Sequence, residues 1–255
     1  MAIPKALKSR VNALKLGIGD AQEKYFLAEG LNVVKEGINS GWFPKWLILS
    51  EENLERYTSL IAQVSNRVEI CIVDKKEMKE LSTLEAPPGI IGIFPRRDLS
   101  LPDGDILVIV DCLQDPGNLG TIIRTADAVG ASGVVALKGS IDPYNYKVVR
   151  GSMGSIFHIP VVKVEDVDDF FNRIKDRYLI VGTSSYGETL YYNFSWEFPL
   201  ALVFGSEARG LSRDVEKFCK AIVRIPIIGK AESLNVAIAC GVILYEVIRK
   251  SVVKY

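Results

Sequence analysis

This sequence of 255 residues contains few of the side chains that build metal sites or disulfide frameworks. It has 4 cysteines and 1 histidine, and no two cysteines form a C-x-x-C pair. We therefore expect neither a structural zinc ion nor any other bound metal. Cys112 and Cys240 lie in apolar runs, where a free thiol usually packs as a small hydrophobic group. Reduced thiols of this kind are typical of a cytoplasmic protein, which is the location that we expect.

An excess of charge and long apolar runs are also missing. The 31 Lys and Arg residues balance 31 Asp and Glu residues, so overall charge does not point to a nucleic acid. A local basic patch would still be sufficient to bind phosphate groups. No run of about eighteen apolar residues occurs, and the first sixteen residues contain no signal-peptide core. We expect no association with a membrane.

Several widespread catalytic and nucleotide-binding motifs are absent as well. There is no G-x-S-x-G elbow, and the single histidine, His158, lies in an apolar context that favours a packed or rim position. Leu211 follows Gly210 where a phosphate loop requires lysine, and no G-x-G-x-x-G follows an early strand. A serine hydrolase, a P-loop enzyme and a dinucleotide-dependent oxidoreductase are therefore disfavoured.

The hydrophobic pattern divides the chain into two parts. Residues 26–37 place apolar side chains at helical intervals and predict an amphipathic helix, whereas KWLILS, VEICIVD and GIIGIF predict short strands. Residues 1–95 are therefore expected to form a small mixed αβ domain. The stretch from Pro95 to Asp105 has no apolar periodicity and combines two prolines, a glycine and several charges, which predicts a linker at residues 96–105.

Strand-like and helix-like runs alternate over residues 106–255. This alternation predicts an α/β domain in which helices cover a mostly parallel sheet. In such sheets, ligands bind where the strands end at their carboxyl side. The loops that follow residues 113, 183, 205 and 227 are therefore the predicted site.

A first candidate segment is DCLQDPGNLGTIIRTADAVGA, in which a buried strand breaks into a tight turn and then becomes a helix. Ile122 and Ala126 belong to the apolar stripe of this helix, so Arg124 is predicted to point away from the core. A plain ion pair with Asp127, three positions later, would explain this arginine equally well.

Two further segments follow. In LALVFGSEARGLS, an apolar strand ends at Gly205, where another backbone or a ligand can approach closely. In RIPIIGKAESLNVAIACGVILYEVI, we expect Ser233 to be the N-cap of a long apolar helix. Asn235 would then lie in the first turn without such a structural role.

Taken together and in order, DPGNLGTIIRTADAVG, LVFGSEARGLS and IPIIGKAESLNVAIA resemble the three motifs of the SpoU (TrmH-like) family of SPOUT-class RNA 2′-O-ribose methyltransferases. NYKVVRGSMGSIFHIPV is similar to the middle segment of that family, and FLAEG to its accessory RNA-binding domain, so the resemblance covers most of the chain. It implies a carboxyl-terminal methyltransferase domain with a deep trefoil knot, preceded by an RNA-binding domain.

The resemblance also implies a cofactor and functional residues. The cofactor is S-adenosyl-L-methionine, which we expect to contact Thr183, Gly205, Ile225, Ile227 and Leu234. Active sites of this family form across a homodimer interface, so a homodimer is implied. The positions that correspond to catalytic ones are Asn118, Arg124, Glu207, Ser233 and Asn235.

The role of Arg124 is left open between two hypotheses. It acts as the base that removes the 2′-hydroxyl proton, with help from a substrate phosphate, or it clamps that phosphate and stabilises the developing alkoxide. A free guanidinium has a pKa above about 12, which argues against the first hypothesis. Arg150 is a second candidate for an RNA-phosphate contact, although a solvated surface charge is an equal alternative.

We therefore expect an RNA (ribose-2′-O-)methyltransferase that acts on ribosomal RNA. The alternatives are a transfer RNA 2′-O-methyltransferase and a non-catalytic RNA-binding or assembly module on the same fold. Methyl transfer to bulk RNA, measured after cofactor binding, separates the enzyme from the binding module.

Overall fold

A computed structural model describes residues 3–64, 66–100 and 103–252. They fold as two compact units. The N-terminal unit comprises the described residues of Met1–Asp98 and Tyr144–His158, and the C-terminal unit those of Leu99–Pro143 and Ile159–Tyr255. Among the described residues, no helix has both the length and the apolar character needed to span a bilayer.

The N-terminal unit contains a four-stranded mixed sheet with the strand order β1-β4-β2-β3. Strand β4 is antiparallel to both of its neighbours, whereas β2 and β3 are parallel. A 3₁₀ helix at Glu51–Tyr57 and another at Ser155–Phe157 complete the unit. Its helices and strands in the first part of the chain are α1 (Lys5–Leu16), α2 (Ala21–Lys24), β1 (Tyr25–Glu29), α3 (Leu31–Asn39), β2 (Trp46–Ser50), α4 (Thr58–Val64), β3 (Glu69–Val73), α5 (Lys75–Leu81) and β4 (Ile90–Pro95).

The helix predicted over residues 26–37 is wrong in its first part. Residues 25–29 form β1, and only the following residues form α3. Gly30 separates the two elements with a φ of 107°, a conformation that residues with a side chain rarely adopt. Phe26 and Leu27 are both buried although they point to opposite sides of the sheet. A strand covered on both faces has no period-2 pattern, which explains the error.

Residues 144–158 pack with the N-terminal unit. From the sequence they are expected in the C-terminal domain, at 106–255. Within this segment lies helix α7 (Tyr146–Gly151). The Phe157 ring lies 4.9 Å from the Phe94 ring and 5.5 Å from the Trp42 ring, and Tyr144 lies 4.7 Å from Phe26. Aromatic packing of this kind buries large apolar areas. Tertiary packing therefore places a segment from the middle of the chain in the N-terminal unit.

The C-terminal unit contains a seven-stranded sheet in which every neighbouring pair of strands is parallel, as expected. The strand order is β7-β6-β5-β10-β8-β11-β9. The short strand β9 was not predicted. The elements of the C-terminal unit are β5 (Ile106–Val110), α6 (Pro116–Ala128), β6 (Gly133–Leu137), β7 (Val161–Val164), α8 (Val167–Ile174), β8 (Leu179–Thr183), β9 (Thr189–Leu190), β10 (Leu200–Phe204), α9 (Arg213–Glu216), β11 (Ala221–Arg224) and α10 (Val236–Val252).

The central strands of this sheet carry its core. All residues of β5, β6 and β10 are buried, so both faces of these strands are covered. Continuous apolar strands of this kind are typical of parallel sheets. On one face they pack against Phe170 and Phe171 of α8. The α/β architecture expected for residues 106–255 is confirmed, whereas the trefoil knot stays a prediction.

Candidate active site

A cavity of about 250 Å³ opens where three parallel strands of the C-terminal unit end. Its walls are the loops after β8, β10 and β11 and the start of α10, which are three of the predicted loops and the predicted helix start. All five residues expected to contact the cofactor line it, together with two of the expected catalytic residues: Thr183, Gly205, Ile225, Ile227, Leu234, Glu207 and Ser233.

The loop after β10 folds back tightly over the end of its own strand. The amide of Ser206 donates to the carbonyl of Gly210 at 3.0 Å, and the Gly210 amide donates back at 2.8 Å. A Cβ atom on Gly205 would lie only 2.1 Å from the carbonyl carbon of Gly210. Glycine is therefore required here by the approach of another backbone segment, one of the two reasons expected from the sequence.

A chain of side-chain hydrogen bonds connects three of the expected catalytic residues. The Asn118 amide nitrogen donates to the Glu207 carboxylate, and the Asn235 Nδ2 atom donates to Asn118 Oδ1 at 2.9 Å. These residues come from α6, from the loop after β10 and from the start of α10. Each amide serves as both donor and acceptor, so the orientation of each side chain depends on the others.

The N-cap of α10 is Asn235, so the prediction that Ser233 caps this helix is wrong. The Oδ1 atom of Asn235 accepts hydrogen bonds from the amides of Ala237 at 2.9 Å and Ile238 at 3.3 Å. These are the free N–H groups that a cap residue satisfies. Ser233 lies two residues earlier, where it is exposed and lines the cavity. Asn235 therefore has a structural role as well as its place in the polar chain.

Helix α6 begins at the same place. Its N-cap is Asp115, whose side chain accepts from the Asn118 amide at 2.8 Å, with Pro116 at the first helical position. The hydrogen bond between Asn118 and Asn235 thus joins the N-terminal ends of α6 and α10. Because helix N-termini carry partial positive charge, the ends of two helices place such charge near the Glu207 carboxylate.

The two arginines expected to contact RNA are placed differently from the other candidates. Arg124 is exposed on α6, as predicted, and is not among the described residues that line the cavity. Arg150 is half-buried in the last turn of α7 and belongs to the N-terminal unit.

The structure identifies a site residue that the sequence analysis missed. Asp111, directly after β5, is 2% exposed, and its Oδ2 atom accepts from the Ser212 amide at 2.6 Å. It therefore holds the far end of the loop that carries Glu207. A charged residue at the end of the buried run ILVIV was the available signal, because such a residue needs a specific partner. Tyr186, Arg209 and Glu232 also line the cavity and were not predicted.

Comparison with known proteins agrees with this geometry. Residues 105–245 match the SpoU rRNA Methylase family, and residues 20–92 match the MRM3-like substrate binding domain. The first match covers more than half of the chain and contains every residue of the cavity and of the polar chain.

Individual relatives support the same assignment. A putative TrmH family tRNA/rRNA methyltransferase, YacO of Bacillus subtilis, is 42% identical over 56% of this chain, which spans 58% of that relative. The 23S rRNA (uridine(2479)-2′-O)-methyltransferase of Streptomyces viridochromogenes is 30% identical over 89% of this chain and 83% of its own. The crystal structure of the SpoU methyltransferase AviRb from Streptomyces viridochromogenes with AdoMet superposes with a TM-score of 0.89 at 29% identity, covering 98% of this chain and 99% of that one. The chain therefore belongs to the SpoU family of RNA methyltransferases.

Proposed function

We propose that this protein transfers a methyl group from S-adenosyl-L-methionine to a ribose 2′-oxygen of ribosomal RNA. The observation that carries this proposal is the polar chain of Asn118, Glu207 and Asn235 beside a cavity built by the three strand ends. Ribosomal RNA is favoured over transfer RNA because two relatives that match 89% and 86% of this chain are named as 23S rRNA 2′-O-methyltransferases.

The lining of the cavity suits S-adenosylmethionine chemically. Ile225, Ile227 and Leu234 provide apolar walls for an adenine ring, and the folded loop at Gly205 presents backbone groups that can hydrogen-bond to its polar edge. Two carboxylates, Glu207 and Glu232, line the same cavity and favour a cationic ligand. When bound, S-adenosylmethionine supplies a methyl group on a positively charged sulfur.

The residues of the polar chain position the reacting ribose. Glu207 is an acceptor for a hydroxyl hydrogen, and Asn118 fixes the carboxylate orientation from the side. Asn235 in turn fixes Asn118 and is itself held by two backbone amides. Such a preorganised acceptor lowers the barrier mainly by positioning. Ser233 is a further hydroxyl at the cavity wall.

Arg124 completes the site from a second subunit. Because it is exposed and lies outside the described cavity lining of its own chain, it is available to the cavity of a partner. Helix α10 carries an exposed apolar stripe of Ile238 and Tyr245, which are 56% and 57% exposed, with Val242 between them. An i, i+4, i+7 stripe of this kind suits a symmetric helix contact. We propose that the homodimer forms through this stripe.

A mixed-subunit experiment tests this arrangement. An Arg124→Ala subunit and a Glu207→Ala subunit are each expected to be inactive. If Arg124 acts in the partner's site, the co-expressed population regains about a quarter of the wild-type activity, because about half of its dimers are mixed and each mixed dimer has one intact site of two. An absence of regained activity in dimers of confirmed mixed composition would place both residues in one subunit and contradict the proposal.

Methyl transfer with radiolabelled cofactor tests the function itself. Purified protein is incubated with deproteinised ribosomal RNA, or with transfer RNA as the parallel substrate. We expect label in ribosomal RNA at one nucleotide whose 3′ phosphodiester resists alkali, since a 2′-O-methyl group blocks that cleavage. Label in a base, or label only in transfer RNA, would overturn the proposal. Cofactor binding without transfer to either RNA would indicate a binding module.

The remaining assignments follow from this function. We propose that residues 1–95, with the segment 144–158 that packs with them, bind RNA, and that Arg150 of this segment contacts an RNA phosphate. Residues 96–105 would link them to the methyltransferase domain, which the rest of residues 106–255 form. We propose that the protein acts in the cytoplasm.

A further inference from the structure

One end of the sheet in the N-terminal unit is lined with basic residues. At this end β1, β2 and β3 begin and β4 finishes, since Tyr25 lies opposite Pro95 and Trp46 lies opposite both Ile93 and Glu69. Basic side chains occur within two residues of each of these strand ends. We call this surface the basic end and define it by Lys24, Lys45, Arg67 and Arg97, together with Arg10 of α1.

Aromatic rings hold several of these cations in place. The Arg10 guanidinium lies 4.3 Å from the ring centre of Trp46, and Arg67 lies 4.9 Å from that of Phe43. Arg97 lies 4.1 Å from the ring centre of Trp42. A guanidinium over a ring is restrained by a cation–π interaction, yet keeps N–H groups at its edge for a phosphate. Less side-chain entropy is then lost when an anion binds.

Three exposed acidic residues reduce the charge of this surface locally: Glu23 beside Lys24, Asp98 beside Arg97, and Glu69 at the start of β3. Glu69 accepts from Trp46 Nε1 at 3.0 Å and pairs with Lys45 at 2.9 Å. These two hydrogen bonds lower the pKa of the Glu69 carboxyl, and the bond from Lys45 has the larger effect. Arg67 and Arg97 are exposed and lie over the rings of Phe43 and Trp42, and Arg97 also donates to the Gly41 carbonyl at 2.6 Å. Neither is part of the Lys45–Glu69 pair. They are therefore the cations best placed to meet an external anion.

The opposite end of the same sheet carries the opposite charge. There β1 ends at Glu29, β2 is followed by Glu51 and Glu52, and β3 is followed by Asp74. Lys75, Lys76 and Lys79 lie nearby on α5, and Lys75 is paired with Glu52 at 3.5 Å. The charge is thus separated along the strands of this small unit although the whole chain has no net charge. A polyanion would be attracted to one end and repelled by the other.

We propose that the basic end binds the sugar–phosphate backbone of the substrate RNA. Three features favour RNA over an acidic protein: the cations are mostly arginines, three of them lie over aromatic rings, and they belong to the unit that precedes the methyltransferase domain. The inference rests on the proposed function, because that function supplies RNA as the substrate. The basic end would contact this RNA at a place other than the methylation site.

Binding of a short fluorescein-labelled single-stranded RNA to the full-length protein tests the proposal. The variant is Arg67→Gln/Arg97→Gln, and the matched control at the acidic end is Lys76→Gln/Lys79→Gln. Each lost phosphate contact on a single strand lowers affinity about fivefold at about 0.1 M salt. We expect the variant to bind about 25-fold more weakly and its log–log salt slope to fall by about 1.4. The control should bind like wild type.

Further measurements keep the result interpretable. Thermal unfolding checks that both double variants fold, and Arg67→Lys/Arg97→Lys should restore most of the salt slope because it restores the charge. With ribosomal RNA as substrate, the glutamine variant should raise KM for RNA and leave cofactor affinity unchanged. Wild-type affinity in the glutamine variant, or an equal loss in the acidic-end control, would overturn the inference.

Failure of the proposed function would look different from failure of this inference. If the wild-type protein binds the RNA probe through Arg67 and Arg97 but methylates no ribosomal RNA, the proposed function is refuted. The basic end would still be an RNA-binding surface. Wild-type protein that methylates ribosomal RNA but binds it independently of these arginines would refute the surface alone.

Discussion

Two glutamates, one in each unit, show that the same type of side chain has different roles. Glu29 at the end of β1 is 6% exposed and accepts hydrogen bonds from the Ser82 hydroxyl and from the Thr83 amide and hydroxyl, the latter two at 2.9 and 2.6 Å. Glu207 is exposed beside a cavity and accepts from Asn118, which lies on a helix 89 residues earlier in the chain.

The difference lies in how many of the oxygen lone pairs are used. Glu29 is buried and bonded at both oxygens, so it can do little except hold the segment at Ser82 and Thr83 in place. Glu207 has one oxygen engaged and is open to the cavity, so it remains able to accept from a substrate. Satisfied polar groups in the N-terminal unit should therefore affect stability, and open ones in the C-terminal unit should affect activity.

The strongest test of this contrast uses Arg124, an exposed site residue. We expect Arg124→Ala to lower kcat about 100-fold or more, as the loss of one preorganised transition-state contact does elsewhere. The free energy of unfolding should change by less than about 0.5 kcal/mol. Arg124→Lys separates the two roles, because substantial retained activity would count against a bidentate phosphate clamp. Arg173→Lys on α8 is the control. If it lowers kcat as much as the Arg124 variants do, their loss of activity is not specific to the site.

The glutamates themselves give the second test. In Glu29→Gln an amide group would face donors that now meet a carboxylate, so we expect a loss of about 1–3 kcal/mol in unfolding free energy. Glu207→Gln keeps an acceptor for Asn118 and should unfold like wild type, while its methyl transfer falls about tenfold. Chemical denaturation and initial rates measure both. The contrast fails if Glu29→Gln leaves stability unchanged or if Glu207→Gln leaves the rate unchanged.

Asn235 combines both roles, so its variants should separate them. Asn235→Ala removes the cap of α10 and should cost about 1 kcal/mol of stability together with activity. Asn235→Asp keeps the accepting oxygen but loses the donor to Asn118, so stability should stay near wild type while activity falls. Asp115→Ala, which removes the cap of α6, is the comparison for stability. Equal stability losses in the two Asn235 variants would show that the cap does not depend on the accepting oxygen.

The smallest effect concerns the cysteines, which are free thiols, as expected. Burial raises the pKa of Cys219 to about 12 and raises the pKa of Cys240 further. Burial also raises the pKa of Cys71 and Cys112, which are half-buried, as Cys219 is, whereas Cys240 is fully buried. Because the thiolate is the reactive form, iodoacetamide near pH 8 should label Cys71 and Cys112 before Cys219 and Cys240. Peptide mass spectrometry gives the order.

The sign of the pH effect follows from these shifts. A thiol whose pKa is raised by folding stabilises the native state fully below the unfolded pKa of about 8.5, and this contribution is lost as pH rises above it. We therefore expect the C-terminal unit, which contains Cys219 and Cys240, to lose stability above this pH. In denaturant all four cysteines should react. Labelling of native Cys240 at the rate of the unfolded chain would show that the core of this unit opens readily.

Sequence alone determined the parallel sheet, because continuous apolar strands and alternating helices are local patterns. It also located the residues that line the cavity, because three ordered motifs resemble those of a family in which these positions are known. It failed at residues 25–29, where a strand buried on both faces imitates a helical pattern. It failed at Ser233 as well, because serine and asparagine are nearly equal as caps and only the backbone path decides between them.

Tertiary structure alone decided which side chains meet. Nothing in the local pattern around Asn118, Glu207 or Asn235 shows that they form one chain of hydrogen bonds, and nothing around Asp111 shows that it holds the loop bearing Glu207. The charge separation across the N-terminal sheet is hidden in the same way, because its cations come from segments up to 87 positions apart, Arg10 and Arg97. Local pattern fixes a residue's element through backbone preference and burial, but contact between distant residues depends on the register and order of strands.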